Sequence, residues 1–262
     1  MRSHTPLAAV PADPGRPAAG FLTGAAGTLP NRSVVVLDAI KHAILTGELR
    51  PGQGLVETDL AGMLGVSKTP VREALKTLAG AGLVTMSPYK GATVRAVDDD
   101  LVRSVYDLRL LLEPEAVRRA VPRNHCQTAA ARDALNRAAR ATDRADRSLA
   151  NRDFHRALYL GCGNGMLVSV LDGLRDQTAL VSAAAWQRAP SPTWQDEAAE
   201  HEAIARAAEA GAANDASTLL TRHIEAFLRR NFPALGDLSE PTDPSEPRNS
   251  KNFGDNGDIN AP

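Results

Sequence analysis

Three histidines, His155, His201 and His223, fall in three separate stretches of helical periodicity. Imidazole is a ligand for zinc, nickel and related divalent ions, and three of them converging in a helical core can hold one. A lone helical histidine is more often a surface or hydrogen-bonded core residue, so the chemistry depends on that convergence. Residues four apart share a helix face, which puts Asn151 beside His155. Asp153, two residues before His155, points roughly 160° away from it. Carboxylate is the better ligand type, yet spacing favours the Asn151 amide as the fourth ligand. The candidate metal set is therefore Asn151, His155, His201 and His223, for a divalent ion such as zinc, nickel or manganese.

A second set of residues suits nucleic acid. From Gly65 to Leu78 the chain runs Gly-Val-Ser-Lys-Thr-Pro-Val-Arg-Glu-Ala-Leu-Lys-Thr-Leu. On a helical wheel Val71, Ala74, Leu75 and Leu78 form one apolar stripe, which would fix this helix to a core by one side. Arg72, Lys76 and Thr69 lie together on a neighbouring face, with Lys68 at the N-terminal tip. Ser67 is the expected N-cap, its hydroxyl accepting a first-turn amide, and Pro70 fits the first turn. Such a helix can enter a DNA major groove; a capped surface helix with a solvated basic face is the competing reading. Residues 57–64 read as a shorter helix stopped by Gly65, with Val66 and Ser67 as the tight turn between the two. Val84–Met86 and Ala92–Ala96 alternate around Ser87-Pro88-Tyr89-Lys90-Gly91, a hairpin with a basic tip. Helix, helix-turn-helix and hairpin make a winged helix. Its expected DNA contacts are Ser67, Lys68, Thr69, Arg72 and Lys76 from the helix, and Lys90 and Gly91 from the wing.

These residues resemble the GntR-type bacterial transcription regulators. The likeness runs through Ile44-Leu45-Thr46-Gly47-Glu48-Leu49-Arg50-Pro51-Gly52, Leu60-Ala61, Val66 to Leu75, Leu83-Val84 and Lys90-Gly91, covering roughly residues 33–97. Members often carry Arg where Lys68 stands, and Lys lacks the bidentate fork onto guanine. A later segment, Asn151 to Asn164 with Glu200-His201-Glu202 and Arg222-His223-Ile224, is similar to the FCD effector-binding domain of the FadR branch, over about residues 100–231. Metal-binding members of that domain use an Asp or Asn four residues before a first His, plus two later His. Asn151, His155, His201 and His223 match those positions. The resemblance implies a small carboxylic acid as effector, coordinated by the metal. Arg109 is then a candidate carboxylate clamp, since guanidinium forks onto carboxylates; an i,i+4 pair with Glu113 is the alternative use of the same side chain.

The elements that must position these residues are almost all helices. Residues 33–46 read as the first helix, with Val36, Leu37, Ile40 and Ile44 inward. Asp98-Asp99-Asp100 places acid at the start of a helix carrying Leu101, Val105, Leu108, Leu111 and Leu112 and running through Pro114. Further helices are expected at roughly 127–146, 148–161, 164–187, 195–210 and 213–231, with turns at 161–163, 189–192 and Gly211. No alternating strand pattern interrupts them. The fold expected is mainly α: a winged helix-turn-helix over 32–97, then an all-α antiparallel bundle over 98–232. Residues 1–31 are rich in Ala, Pro, Gly and Thr without a period, and 233–262 are polar; both are expected to be disordered. Removing residues 1–30 and 236–262 should leave the melting temperature nearly unchanged; a fall of more than about 5 °C would show that one of them packs.

Charge agrees with this division. The chain is close to neutral overall, but residues 31–97 hold eight Lys/Arg against five Asp/Glu, net +3, while 236–262 hold six Asp/Glu against two Lys/Arg, net −4. Near-neutrality argues against a nonspecific DNA-packaging protein. Cys126 and Cys162 form no disulfide pattern, which suits a reducing cytoplasm. No apolar run approaches a membrane span, and prolines at 6, 11, 14 and 17 interrupt any signal-peptide core. The expected function is a homodimeric, cytoplasmic transcriptional regulator that binds a palindromic double-stranded DNA operator and responds to a small organic acid. Repression is the expected sign. The alternative is a metal-dependent enzyme using the three-His site, for which no acid stands at a spacing that supplies a general base.

Overall fold

Val36, Ile40 and Ile44 recur at helical spacing and bury one face of α1 (Arg32–Thr46), which Gly47 ends at φ 81°. In this computed structural model, residues 32–87, 91–123, 127–188 and 194–235 are described. After a two-residue strand β1 (Gly54–Leu55) comes α2 (Glu57–Leu64), closed by Gly65 at φ 64°, where the Val66 N–H reaches back to the Ala61 carbonyl at 3.0 Å. That turn delivers α3 (Lys68–Gly80), whose stripe of Val71, Ala74, Leu75 and Leu78 is buried against α1. Strands β2 (Val84–Ser87) and β3 (Gly91–Val94) pair antiparallel, and β1 adds to the outer edge of β3, giving the order β1-β3-β2. The winged helix is present, with one strand more than the hairpin alone.

Ser67 sits at the N-cap of α3 in extended backbone, but its hydroxyl makes no capping bond. An N-cap side chain bonds the second or third amide of the helix, and the third position here is Pro70, which has none. Half of the target is missing.

The second half is helical throughout the described residues: α4 (Asp99–Ala120), α5 (Thr128–Arg140), α6 (Arg144–Tyr159), α7 (Gly165–Arg188), α8 (Trp194–Glu209) and α9 (Ala213–Asn231). Asp98 caps α4 by accepting the Leu101 amide at 2.8 Å, and α4 continues past Pro114 to Ala120. Leu101 and Val105 are buried, whereas Leu108 and Leu111 lie at the surface. The boundary expected between the helices over 127–146 and 148–161 lies earlier: the chain breaks at 141–143, and Asp143 caps α6 through the Asp146 amide at 2.8 Å. An Ala- and Arg-rich run on both sides of the break hides it from periodicity; the cap residue decides. Pro233–Leu235, expected in the tail, forms a 3-10 turn whose Leu235 is buried and whose carbonyl accepts from Arg103.

α4 packs on α7 and α9, α8 on α5 and α9, and α6 on α5 and α7, around a core of alanine, leucine and a few stacked rings such as Tyr106 on Phe227 at 5.2 Å. The winged helix rests on α6 and α7. Lys41 of α1 bonds Asp176 of α7 at 2.7 Å, and Arg144 of α6 donates to the Thr46 carbonyl. The arm over 1–31, the wing tip at 88–90, Cys126, the turn at 189–192 and the tail beyond 235 lie outside the described residues.

Candidate functional site

Helices α6, α8 and α9 each carry one histidine into the bundle core. His155, His201 and His223 are all buried, and one ring nitrogen from each lies within 4.8 Å of the others. Ring centroids are 5.4 Å apart for His155–His201 and His155–His223, and 4.3 Å for His201–His223. The two Nε2 atoms of His201 and His223 face each other at 3.0 Å. Burial pulls all three pKa values down, that of His223 to about 4 against the opposing pull of Glu200, so the rings are neutral at pH 7. Three neutral imidazoles this close together supply the kind of nitrogens that a divalent cation binds.

Two carboxylates orient the rings from behind. Glu200 accepts from His223 Nδ1 at 2.6 Å, and Arg230 grips both oxygens of Glu200 at 2.6 and 3.0 Å. Glu113 stands 3.4 Å from His155 Nδ1 and also accepts from Arg109 Nε at 3.0 Å. Burial alone would raise the pKa of Glu113; Arg109 and His155 outweigh it and hold it at about 2. For Glu200, burial is overcome by the His223 and Arg230 hydrogen bonds, again to about 2. A carboxylate on the far nitrogen of a histidine fixes its tautomer and strengthens it as a ligand.

Asn151 lies one turn before His155, is 7% exposed, and its Oδ1 has no hydrogen-bond partner among the described residues. A buried carbonyl left unpaired costs about 1–3 kcal/mol. One turn before His155 on α6 and lining a cavity with His201, that oxygen is an electron pair open to a cation. The residues present therefore fit a divalent ion with three nitrogens and one amide oxygen. Asp153 is turned away as its position on the wheel requires, toward Arg137, Arg152 and Arg175.

Arg109 forms the i,i+4 ion pair with Glu113, so that use of the side chain is realised. The same guanidinium lies 3.3 Å from His155 Nδ1 and 4.8 Å over the Tyr106 ring, which leaves it beside the histidine cluster as well. Sequence reasoning missed Glu200, Arg230 and the second role of Glu113. One signal was available: Arg230 follows His223 by seven residues, two turns along the same face.

On the winged helix, Ser67, Lys68, Thr69, Arg72, Lys76 and Gly91 are all exposed. Arg72 is not loose: its Nε and Nη2 fork onto both oxygens of Glu57 at the start of α2, at 2.8 to 3.1 Å. Lys76 pairs with Glu73 at 3.0 Å. Lys90 falls outside the described residues.

Residues 32–94 match the family described as bacterial regulatory proteins, gntR family, and residues 104–226 match the FCD domain. The chain is 34% identical over 198 residues to the probable D-xylose utilization operon transcriptional repressor of Paenarthrobacter nicotinovorans, covering 74% of this chain and 85% of that one. It is 30% identical over 139 residues to the transcriptional regulator McbR of Escherichia coli, covering 52% of this chain and 63% of that one. Among solved structures it is similar in fold to a transcriptional regulator GntR from Rhodococcus sp. RHA1, with a TM-score of 0.65, 24% identity, and 78% and 98% of the two chains covered.

Proposed function

The chain belongs to the GntR family of bacterial transcriptional regulators, with an FCD domain, and from that premise we propose that it is a metal-loaded sensor of small carboxylic acids acting as a dimeric repressor. It is a DNA-binding transcriptional regulator; its relatives carry that description. The single observation that carries the sensing half is the unpartnered Asn151 Oδ1 beside three neutral histidines. Those four residues would hold the ion, and the ion, when bound, supplies a Lewis-acidic point for a carboxylate. Arg109, beside His155, would complete the charge balance around the acid. The winged helix over 32–97 would read the operator through Lys68, Thr69, Arg72 and Lys76, with Ser67, Lys90 and Gly91 on phosphates. Titration of chelator-stripped protein with zinc, nickel and manganese, then with short acids at saturating metal, tests it; acids that bind equally well without metal would overturn it.

The competing reading as a metal-dependent enzyme needs a free general base near the ion. Glu113 and Glu200 are each tied to a histidine and an arginine, which suits them to orienting ligands. A turnover screen of small acids with added metal separates the two readings.

Communication between site and DNA has a physical route. Asp176 accepts from Lys41 of α1 at 2.7 Å and from Arg152 at 2.5 Å, and Arg152 lines the same crevice as Arg109 and His155. An acid drawn toward Arg152 would take that cation from Asp176 and leave Lys41 as its remaining partner, which changes the hold on α1. Coupling between sites of this kind is commonly about 5–150-fold in affinity. In Lys41→Ala the acid should still bind with wild-type affinity, while its effect on operator binding shrinks to about threefold or less; a full acid response in that variant would break the route.

The dimer finds support in an exposed apolar set, Leu108 and Leu111 on α4 with Met166 and Val170 on α7, two helices that pack together. A second copy of the chain would cover it, and a palindromic operator matches a two-fold axis. Leu111→Glu should yield a monomer in sedimentation and lose operator binding; a dimer that survives the change has its interface elsewhere.

A further inference from the structure

A cavity of about 50 Å³ opens beside the histidine cluster, on the side facing α5. It is walled by Asn151 and His201 toward the candidate metal and by Ala138, Arg147, Trp186 and Glu197 on its other sides. One water needs roughly 10–15 Å³ of such space, so this cavity has room for part of a small molecule.

Glu197 is the unexplained residue in that wall. It is 2% exposed, and Trp186 Nε1 donates to its Oε1 at 2.9 Å. Among the described residues its Oε2 receives no hydrogen bond, and no arginine, lysine or histidine forms an ion pair with it. Burial lifts its pKa to about 7; the Trp186 hydrogen bond and the more distant charges of Arg230 and Arg109 offset it only in part. A buried carboxylate without donors is expensive, and the apolar wall of Leu135 and Ala138 cannot supply one. A proton offsets that cost, and so would a hydrogen-bond donor seated in the cavity, which would hold Glu197 in its charged form.

Resting on the acid-sensing function above, we infer that Glu197 is a specificity residue: it selects an effector that carries, besides its acid group, a hydroxyl or ammonium donor. Glu197 precedes His201 by four residues, so the two share a face of α8 one turn apart, about 6 Å along its axis. An acid held at the metal would then present its donor three to four carbons away. Arg147 is the one feature of the wall that favours a different occupant, a second acid group; its Nη2 donates to the Ala141 carbonyl at 2.9 Å.

The experiment is calorimetry on the full-length, metal-loaded protein with four probes of equal length: butanoate, 4-hydroxybutanoate, 4-aminobutanoate and succinate. The hydroxy or the amino acid should bind at least about tenfold tighter than butanoate, and which of the two wins tells whether the donor is neutral or cationic. Glu197→Gln should lose any preference for the ammonium, and Glu197→Leu should lose both preferences while keeping butanoate. Butanoate bound as tightly as both donor acids by the wild type overturns the inference without any variant. Succinate binding tightest overturns it in favour of Arg147, and a preference that survives in both variants overturns it too. Metal-dependent binding of all four acids without preference leaves the sensor function standing; binding of none removes both.

Discussion

Arg72→Ala is expected to abolish specific recognition of the operator, with a loss of about 5- to 150-fold in affinity for each base contact that disappears. The side chain stands exposed on α3, on the face beside the stripe of Val71, Ala74, Leu75 and Leu78 that fixes the helix to the core. Its fork onto Glu57 uses Nε and Nη2. Nη1 takes no part in that fork, so the ion pair leaves the guanidinium a donor for a base edge. Glu57→Ala should therefore weaken operator affinity less than Arg72→Ala, because it removes the aim and leaves the reader. Nonspecific binding, which depends on phosphate contacts, should fall only slightly in either variant. Operator affinity in Arg72→Ala equal to wild type at physiological salt would move the recognition surface off α3.

How much of this was legible beforehand follows from the range of each interaction. The α3 stripe and the Gly65 stop are local: a 3.6-residue period and one left-handed residue define them, and both are in the structure as read. Asn151 and His155 likewise fall one turn apart on one helix, both buried, as the i,i+4 geometry requires. β1 was missed because two residues cannot show alternation; its partner is β3, some forty residues on. The α5–α6 break was placed a few residues too late because helix propensity is equally high on both sides and a single Asp143 carries the signal. Glu200, Arg230 and Glu57 were missed for a common reason. Each acts on a residue of another element, at separations of 15 to 30 residues, and only the packing of helices brings them together. Ser67 failed in the other direction, since the local rule was right about backbone and wrong about the bond.

Each of His155→Ala, His201→Ala and His223→Ala is expected to remove most of the metal-dependent rise in melting temperature. That rise measures binding to the folded state alone and amounts to about 4 kcal/mol at a thousandfold excess over Kd. Three unrelated histidines would give small, independent effects; three within 4.8 Å that share one ion give the same large effect each. Asn151→Asp should tighten binding, because it puts a charged oxygen where the unpartnered carbonyl now stands. Glu200→Gln should weaken it by about 10–100-fold without touching a ligand, since the Nδ1 partner of His223 loses its charge. Asp153→Ala separates this site from a nearby charge effect. Its partners are Arg137, Arg152 and Arg175, so the variant should lose some stability and keep its metal affinity. Calorimetry of the chelator-stripped protein with zinc, nickel and manganese decides the matter. A wild type that takes up none of them, or an Asp153→Ala protein that loses the metal while His201→Ala retains it, would take the ion out of this bundle.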